Sequence, residues 1–296
     1  MNAVLNQLSD ALRAHSSVAQ SMVVTIRNAE GRHLAGTLWQ DNIVITSEQA
    51  MGTRESYSII CGDQSTTARI FGRDQGTNIL ALRTDDLLKA DRRVATEPSV
   101  GALVMAFGAT ATGSVTARLG LVNTMGPQWH SRAGGRIDAR IALDIRLART
   151  EEGGPVFDMQ GAVLGMSTLG VAGEVLVIPA ATIERVLPQL LSEGHVSRGW
   201  IGLALHAVAV PDALRDAAGD THGMMVMSTA AAGPGAKAGV MAGDIALSLD
   251  GTPLHRMRQL AAHLDSESIG KQVELRVIRG GEIVALKVEI SPRPAK

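Results

Sequence analysis

The chain has 296 residues, 45% of them hydrophobic and 19% charged, with 28 basic and 29 acidic side chains and a formal charge of −1. That length fits two domains at the usual ~150 residues each, and the composition is that of a soluble globular protein. Balanced charge provides no global field to recruit nucleic acid or an anionic membrane, and 2% aromatic content supplies no stacking platform for single strands.

Cys61 is the single cysteine, so an intramolecular disulfide is impossible and the thiol reads as a buried one. Leu5, Leu8, Leu12 and His15 recur at helical spacing and predict a short amphipathic helix over residues 1–20. Asp10, Arg13 and His15 interrupt any apolar run there, so the segment reads neither as a signal peptide nor as a membrane span, and a cytoplasmic location is expected. From Met22 to about Ile178, short β-branched and aliphatic runs (22–26, 43–46, 57–60, 103–107) alternate with turns bearing Gly, Asp and Asn. Many short strands at such spacing predict an all-β barrel or sandwich.

Ile178-Pro179-Ala180 opens a helix through Ile183, Val186, Leu187 and Leu190, which ends near Gly194 and bridges to the last third of the chain. There, residues 200–208, 224–227 and 245–247 read as strands, with a short helix near 236–238 and a second helix over 254–264. Two final strands, 273–278 and 283–290, flank the turn Arg279-Gly280-Gly281-Glu282. The whole tail is the size of one small mixed α/β module.

Two groups of motifs carry a family resemblance. Arg198-Gly199-Trp200-Ile201-Gly202-Leu203, the run Gly233-Pro234-Gly235-Ala236-Lys237-Ala238-Gly239-Val240-Met241-Ala242-Gly243-Asp244-Ile245, and Asp250-Gly251 resemble the PDZ domain of HtrA proteases. Gly36-Thr37-Leu38, Ile43-Val44-Ile45-Thr46, the segment 74–82, Val100-Gly101, Phe107-Gly108, Asp144, Gly153-Gly154-Pro155-Val156, 161–165 and Ile178-Pro179 match, in order, the protease part of the same family. The resemblance implies a mainly β chain: a trypsin-like double six-stranded β-barrel followed by a small mixed α/β PDZ domain. It divides the chain into an N-terminal helix (1–20), a protease-fold domain (21–194) and a PDZ domain (195–296).

The family's mechanism needs a serine, a histidine that takes its proton, and an aspartate that orients the histidine. Carried over by the flanking motifs, these positions hold Glu152, Gln49 and Asn78. Thr150 stands where the family's oxyanion loop has a glycine, and a β-branched residue adopts such geometry only at a cost. The triad therefore reads as degenerate and the chain as a non-enzyme. Ser47 is expected to bond locally, no metal or other cofactor is expected, and Glu48, Glu151 and Glu152 are candidates to converge on one cleft.

PDZ recognition adds a C-terminal peptide as an extra strand and needs no catalytic residue. Arg198, Trp200, Ile201, Gly202 and Leu203 are expected to receive the carboxylate, and Met257, Leu260, Ala261 and Leu264 to wall the groove, with part of that stripe serving as core. The expected role is a pseudoprotease scaffold that binds C-terminal tails or unfolded segments, with an active HtrA-like protease as a further partner. Two other readings stay open: an active endopeptidase of protein quality control with a misread triad, and a structural subunit of a mixed oligomer, since the family implies trimers.

Overall fold

The computed structural model describes residues 2–294 apart from 29, 53–55, 87 and 96. After helix α1 (Asn2–Gln20), the apolar runs fold into β1 (Val23–Arg27), β2 (His33–Gln40), β3 (Ile43–Ser47), β4 (Ser56–Cys61), β5 (Gln64–Asp74) and β6 (Ile79–Thr84). These close into an antiparallel barrel in the order β1-β2-β3-β6-β5-β4. Next come β7 (Leu103–Ala109), β8 (Val115–Gly126), the small hairpin β9 (Trp129–His130) and β10 (Arg136–Ile137), then β11 (Arg140–Leu143), β12 (Pro155–Asp158), β13 (Val163–Leu169) and β14 (Val175–Pro179). Six of them form a second closed barrel, β11-β14-β13-β12-β7-β8.

Closure removes the exposed sheet edges that two open sheets would present. Each barrel has its own filling: Val24, Ile26, Leu38, Val44, Ile59, Leu80 and Leu82 in the first, and Val104, Val122, Ile141, Leu143, Val156, Leu164 and Val177 in the second. A larger apolar cluster combines residues of both barrels, including Trp39, Ile45, Phe107 and Phe157, with Ile183, Val186, Leu187 and Leu190 of α2 (Ala180–Glu193). Phe107 and Phe157 meet edge to face, with ring centroids 5.5 Å apart. Helix α2 stops at Gly194 (φ 76°), whose N–H bonds back to Leu190 O, the left-handed stop expected of that glycine.

The chain divides into two compact units, Met1–Val196 and Ser197–Lys296. The second holds β15 (Gly199–Trp200), β16 (Leu203–Ala209), α3 (Arg215–Ala218), β17 (His222–Thr229), α4 (Pro234–Lys237), β18 (Ile245–Leu249), β19 (Thr252–Pro253), α5 (Met257–His263), β20 (Gln272–Arg279), β21 (Glu282–Glu289) and β22 (Ser291–Pro292). Its main sheet runs β16-β17-β18-β20-β21, with β16 at one edge, while β19 pairs with β18 and β15 with β22. The Gly280-Gly281 turn closes the β20–β21 hairpin with φ of 58° and 90°, the positive values such two-residue loops need.

Three expectations change in detail. The second helix of this unit covers only Met257–His263, because Leu254 is fully buried and bonds to Leu247 O, while the Gln259 carboxamide accepts the N–H groups of His255 and Arg256 and sets a later start. Strands β5 and β8 fall in mixed polar stretches with exposed positions and lacked a continuous apolar run to announce them. On α1, Leu12 packs against the core while Leu5 stays 58% exposed, so the apolar stripe is only partly covered in this chain.

Candidate functional site

Five pieces of backbone meet beside the junction of the barrels. Strand β3 ends on Ser47, and a 3-10 turn, Glu48–Ala50, carries Gln49 out of it. The turn before β6 places Asn78 at φ 58°, a left-handed conformation that asparagine tolerates. A second 3-10 turn, Arg149–Glu151, leads into Glu152, and β13 supplies Thr168 and Leu169. The Gly-Gly after Glu152 is sterically required: Gly153 has φ 94°, and a Cβ on Gly154 would lie 1.8 Å from Phe107 O.

The three triad positions are brought together. Glu152 is 4% exposed, and its Oε1 accepts hydrogen bonds from Gln49 Nε2 (2.6 Å), Ser47 Oγ (2.7 Å), Thr168 Oγ1 (2.7 Å) and the Leu169 N–H (3.2 Å). Asn78 Oδ1 accepts the Gln49 N–H at 2.7 Å, and its Nδ2 donates to Thr168 Oγ1 at 2.7 Å and to Ser47 Oγ at 3.0 Å. Gln49 Nε2 also reaches Leu169 O at 2.8 Å. One carboxylate oxygen therefore ties the first barrel, through Ser47 and Gln49, to β13 of the second.

Ser47 does not bond locally, as expected of it, but to a residue 105 positions away. Nor do the three glutamates converge. Glu48 faces Arg73, 3.8 Å from its Nε. Glu151 is gripped by Arg118 of β8, at 3.1 Å from Nη2 to each oxygen, and by Thr116 Oγ1 at 2.8 Å. Burial pushes the Glu151 carboxyl upward, but the Ala148 N–H, Thr116 and Arg118 outweigh it and hold it below its usual range. Thr150 sits in the 3-10 turn and is not among the residues of positive φ, so this loop does not take up the glycine-type conformation.

Beside this network lies a cleft of about 740 Å³. Ile26, Leu34, Met51, Tyr57 and Leu169 give it apolar lining, Gln49, Thr150, Glu152 and His33 polar lining, and Arg32 and Arg149 its fixed positive charges. Thr168 and Arg149 were not singled out from sequence. Nothing local marks Thr168, and Arg149 is distinguished only by standing three residues before Glu152.

In the second unit, β16 offers a sheet edge. Gly202 (φ 74°) breaks the chain direction between β15 and β16. The Ile201 carbonyl accepts from the Gly235 N–H and the Gly202 carbonyl from the Ala230 N–H, each at 2.8 Å. In a trans peptide C=O and N–H point opposite ways, so the Gly202 and Leu203 N–H groups are turned away from the 230–235 loop. Among the expected groove residues, Ile201 (2% exposed) and Leu260 (3%) belong to the core, with Leu203 and Leu264 packed against it, while Met257 is 51% exposed. Ala261 is half-buried on α5, Trp200 is half-buried, and the Arg198 carbonyl accepts the Arg293 N–H. Leu260 is thus the part of the α5 stripe that serves as core, and the side chain of Ile201 is core as well.

Comparison with known proteins identifies the parts. The PDZ-domain family profile matches residues 200–290. A probable periplasmic DegP-like serine endoprotease of Bartonella henselae is 30% identical over 268 residues, covering 86% of this chain and 52% of that protein. One from Rhizobium meliloti is 28% identical over 270 residues with the same coverage. The chain thus spans about half the length of the curated relatives it matches. The structure of the HtrA-type protease AlgW with a decapeptide superposes with a TM-score of 0.73 at 19% identity, over 95% of this chain and 98% of that one. A serine endoprotease from Yersinia pestis does so at 0.68 and 19%, over 93% and 95%.

These findings bear out the trypsin-like double barrel and the PDZ domain. They correct the expectation of a non-enzyme: relatives named serine endoproteases, aligned over most of the chain, point to a protease. The same relatives are named periplasmic and lend the cytoplasmic expectation no support. Among the described residues, no helix is long and apolar enough to cross a membrane.

Proposed function

Given that this chain is of the HtrA type, a trypsin-like serine-protease fold joined to a PDZ domain, we propose that it handles polypeptides in protein quality control. It binds C-terminal tails by strand addition along β16 and admits an extended, unfolded segment to the cleft beside Gln49 and Glu152. The observation that carries this reading is the edge of β16, which begins at two N–H groups turned away from the 230–235 loop, the arrangement a terminal carboxylate needs. The exposed apolar residues Val4, Leu5 and Leu8 of α1 are the surface on which this reading places self-association or contact with another HtrA-like protease.

A second reading, peptide-bond hydrolysis in the cleft, is favoured by the names of the relatives and by one contact. Ser47 Oγ lies 2.7 Å from Glu152 Oε1, within reach for a carboxylate to take the hydroxyl proton as general base. Ser47 is fully buried and Gln49 Nε2 holds the same carboxylate oxygen at 2.6 Å, so this reading requires the network to open before a substrate carbonyl can approach. Two measurements on the purified full chain test the pair of readings. Fluorescent peptides with a free C-terminal carboxylate should bind and their amidated twins should not; equal binding of both defeats strand addition at the carboxylate loop. Unfolded casein should be cleaved by the wild type, and by neither Ser47→Ala nor Glu152→Gln, if the second reading holds. Cleavage that both variants retain excludes this pair.

A further inference from the structure

We infer that Glu152 is the recognition group of the cleft and that it selects a basic side chain, lysine or arginine, of the bound polypeptide. The inference rests on the proposal that the cleft receives an extended chain. All four hydrogen bonds to this carboxylate fall on Oε1. Oε2 has no hydrogen-bond or ion-pair partner among the described residues, yet it is not among the buried orphaned atoms, so it keeps access to the cleft that Glu152 lines. A carboxylate that is 4% exposed, fixed on one side by Ser47, Gln49, Thr168 and Leu169 and without a cation in contact, presents its second oxygen in one orientation.

Such a group gains most from a cation that completes its shell, because neutral donors on one oxygen leave the charge only partly compensated in a poorly solvated wall. The apolar wall of Ile26, Leu34, Met51 and Tyr57 suits the methylene stem of a long basic side chain. The cleft's own cations work against this and set its limit. Arg32 is drawn to Glu30 at 2.6 Å, whereas Arg149 has no ion-pair or hydrogen-bond partner among the described residues and repels a second cation. Glu152 is thus a specificity residue whose preference Arg149 tempers.

The test uses the full chain and peptides acetylated at one end and amidated at the other, so that no terminal carboxylate engages the PDZ domain. Three differ only at the central position: lysine, norleucine or glutamate. Calorimetric titration should show the lysine peptide binding at least about tenfold more tightly than norleucine, with that advantage lost in Glu152→Gln. Arg149→Ala should tighten the lysine peptide further by removing a repelling cation, and this gain should come on top of the preference that Glu152→Gln abolishes. Tightest binding of the glutamate peptide, or an unchanged lysine preference in Glu152→Gln, overturns the inference and leaves the proposed function standing. Failure of all three to bind, while free-carboxylate tails still bind, refutes the cleft half of the proposed function and the inference with it.

Discussion

Replacing Glu152 by alanine removes the carboxylate oxygen on which Ser47 and Gln49 of the first barrel and Thr168 and Leu169 of the second converge. Ser47 can turn its hydroxyl toward Asn78 Oδ1, and Gln49 keeps Leu169 O, so the donors left stranded are the Thr168 hydroxyl, which faces the donating Asn78 Nδ2, and the Leu169 N–H, at about 1–3 kcal/mol each. The one buried methylene removed, Cγ, adds about 0.8 kcal/mol. Relief from desolvating a carboxylate offsets part of this, and the net loss is about 2 kcal/mol, or roughly 4–8 °C in Tm for a unit the size of Met1–Val196. The chain has three tryptophans. A Trp200→Phe background leaves Trp39 and Trp129, both in the first unit, as fluorescence reporters of its thermal unfolding. Glu152→Gln retains an acceptor for the Leu169 N–H and should lose less than Glu152→Ala. An unchanged or raised Tm in Glu152→Ala refutes the reasoning, because the cost of burying the carboxylate would then exceed what its four bonds return.

The depressed Glu151 carboxyl stabilises the fold above the ordinary glutamate value of ~4.3, and that contribution is lost as pH falls through its lower folded value. Arg118→Ala should therefore move the acid-unfolding midpoint to higher pH; a circular-dichroism titration with no shift rules this out. In the second unit, Arg279 holds the buried Asp244 through Nε (2.9 Å) and Nη2 (2.7 Å). Since Arg279 is partly exposed, Asp244→Ala should cost about 1–3 kcal/mol in urea denaturation followed by Trp200, less than a fully buried pair would. Gly202→Val forces a β-branched residue into φ 74°, a strain of about 1–3 kcal/mol. It should weaken free-carboxylate tails at least about tenfold while leaving blocked peptides unaffected; titration that shows both classes falling together would point to global misfolding instead.

Much of the fold was legible because its signals are local. The runs at 43–46 and 103–107 stand on the core of closed sheets, and Gly194 and Gly280-Gly281 stop a helix and turn a hairpin at the positions their left-handed φ requires. The convergence of Gln49, Asn78 and Glu152 was legible through flanking motifs, above all the Gly153-Gly154 pair wedged against Phe107. What those side chains do there was not. The partners of Glu48, Glu151 and Glu152 lie on other strands, so Arg118 and Ser47 decide which carboxylate faces the cleft, and spacing along the chain carries no trace of either. The expectation of a non-enzyme, drawn from Gln49, Asn78, Glu152 and Thr150, is corrected by relatives named serine endoproteases and not by any signal along the chain. The apolar stripe of α5 was readable as a stripe, but its division into buried Leu260 and exposed Met257 depends on how the short helix lies on its sheet.

The central claim, that β16 takes up a polypeptide tail through its terminal carboxylate, is tested most directly by hydrogen–deuterium exchange of the full chain with a saturating C-terminal peptide. The account predicts slowed exchange of amides 202–209, starting at Gly202 and Leu203, and none of this slowing with the same peptide amidated. Protection that is absent from 202–209, or equal for the free and amidated peptides, would contradict it.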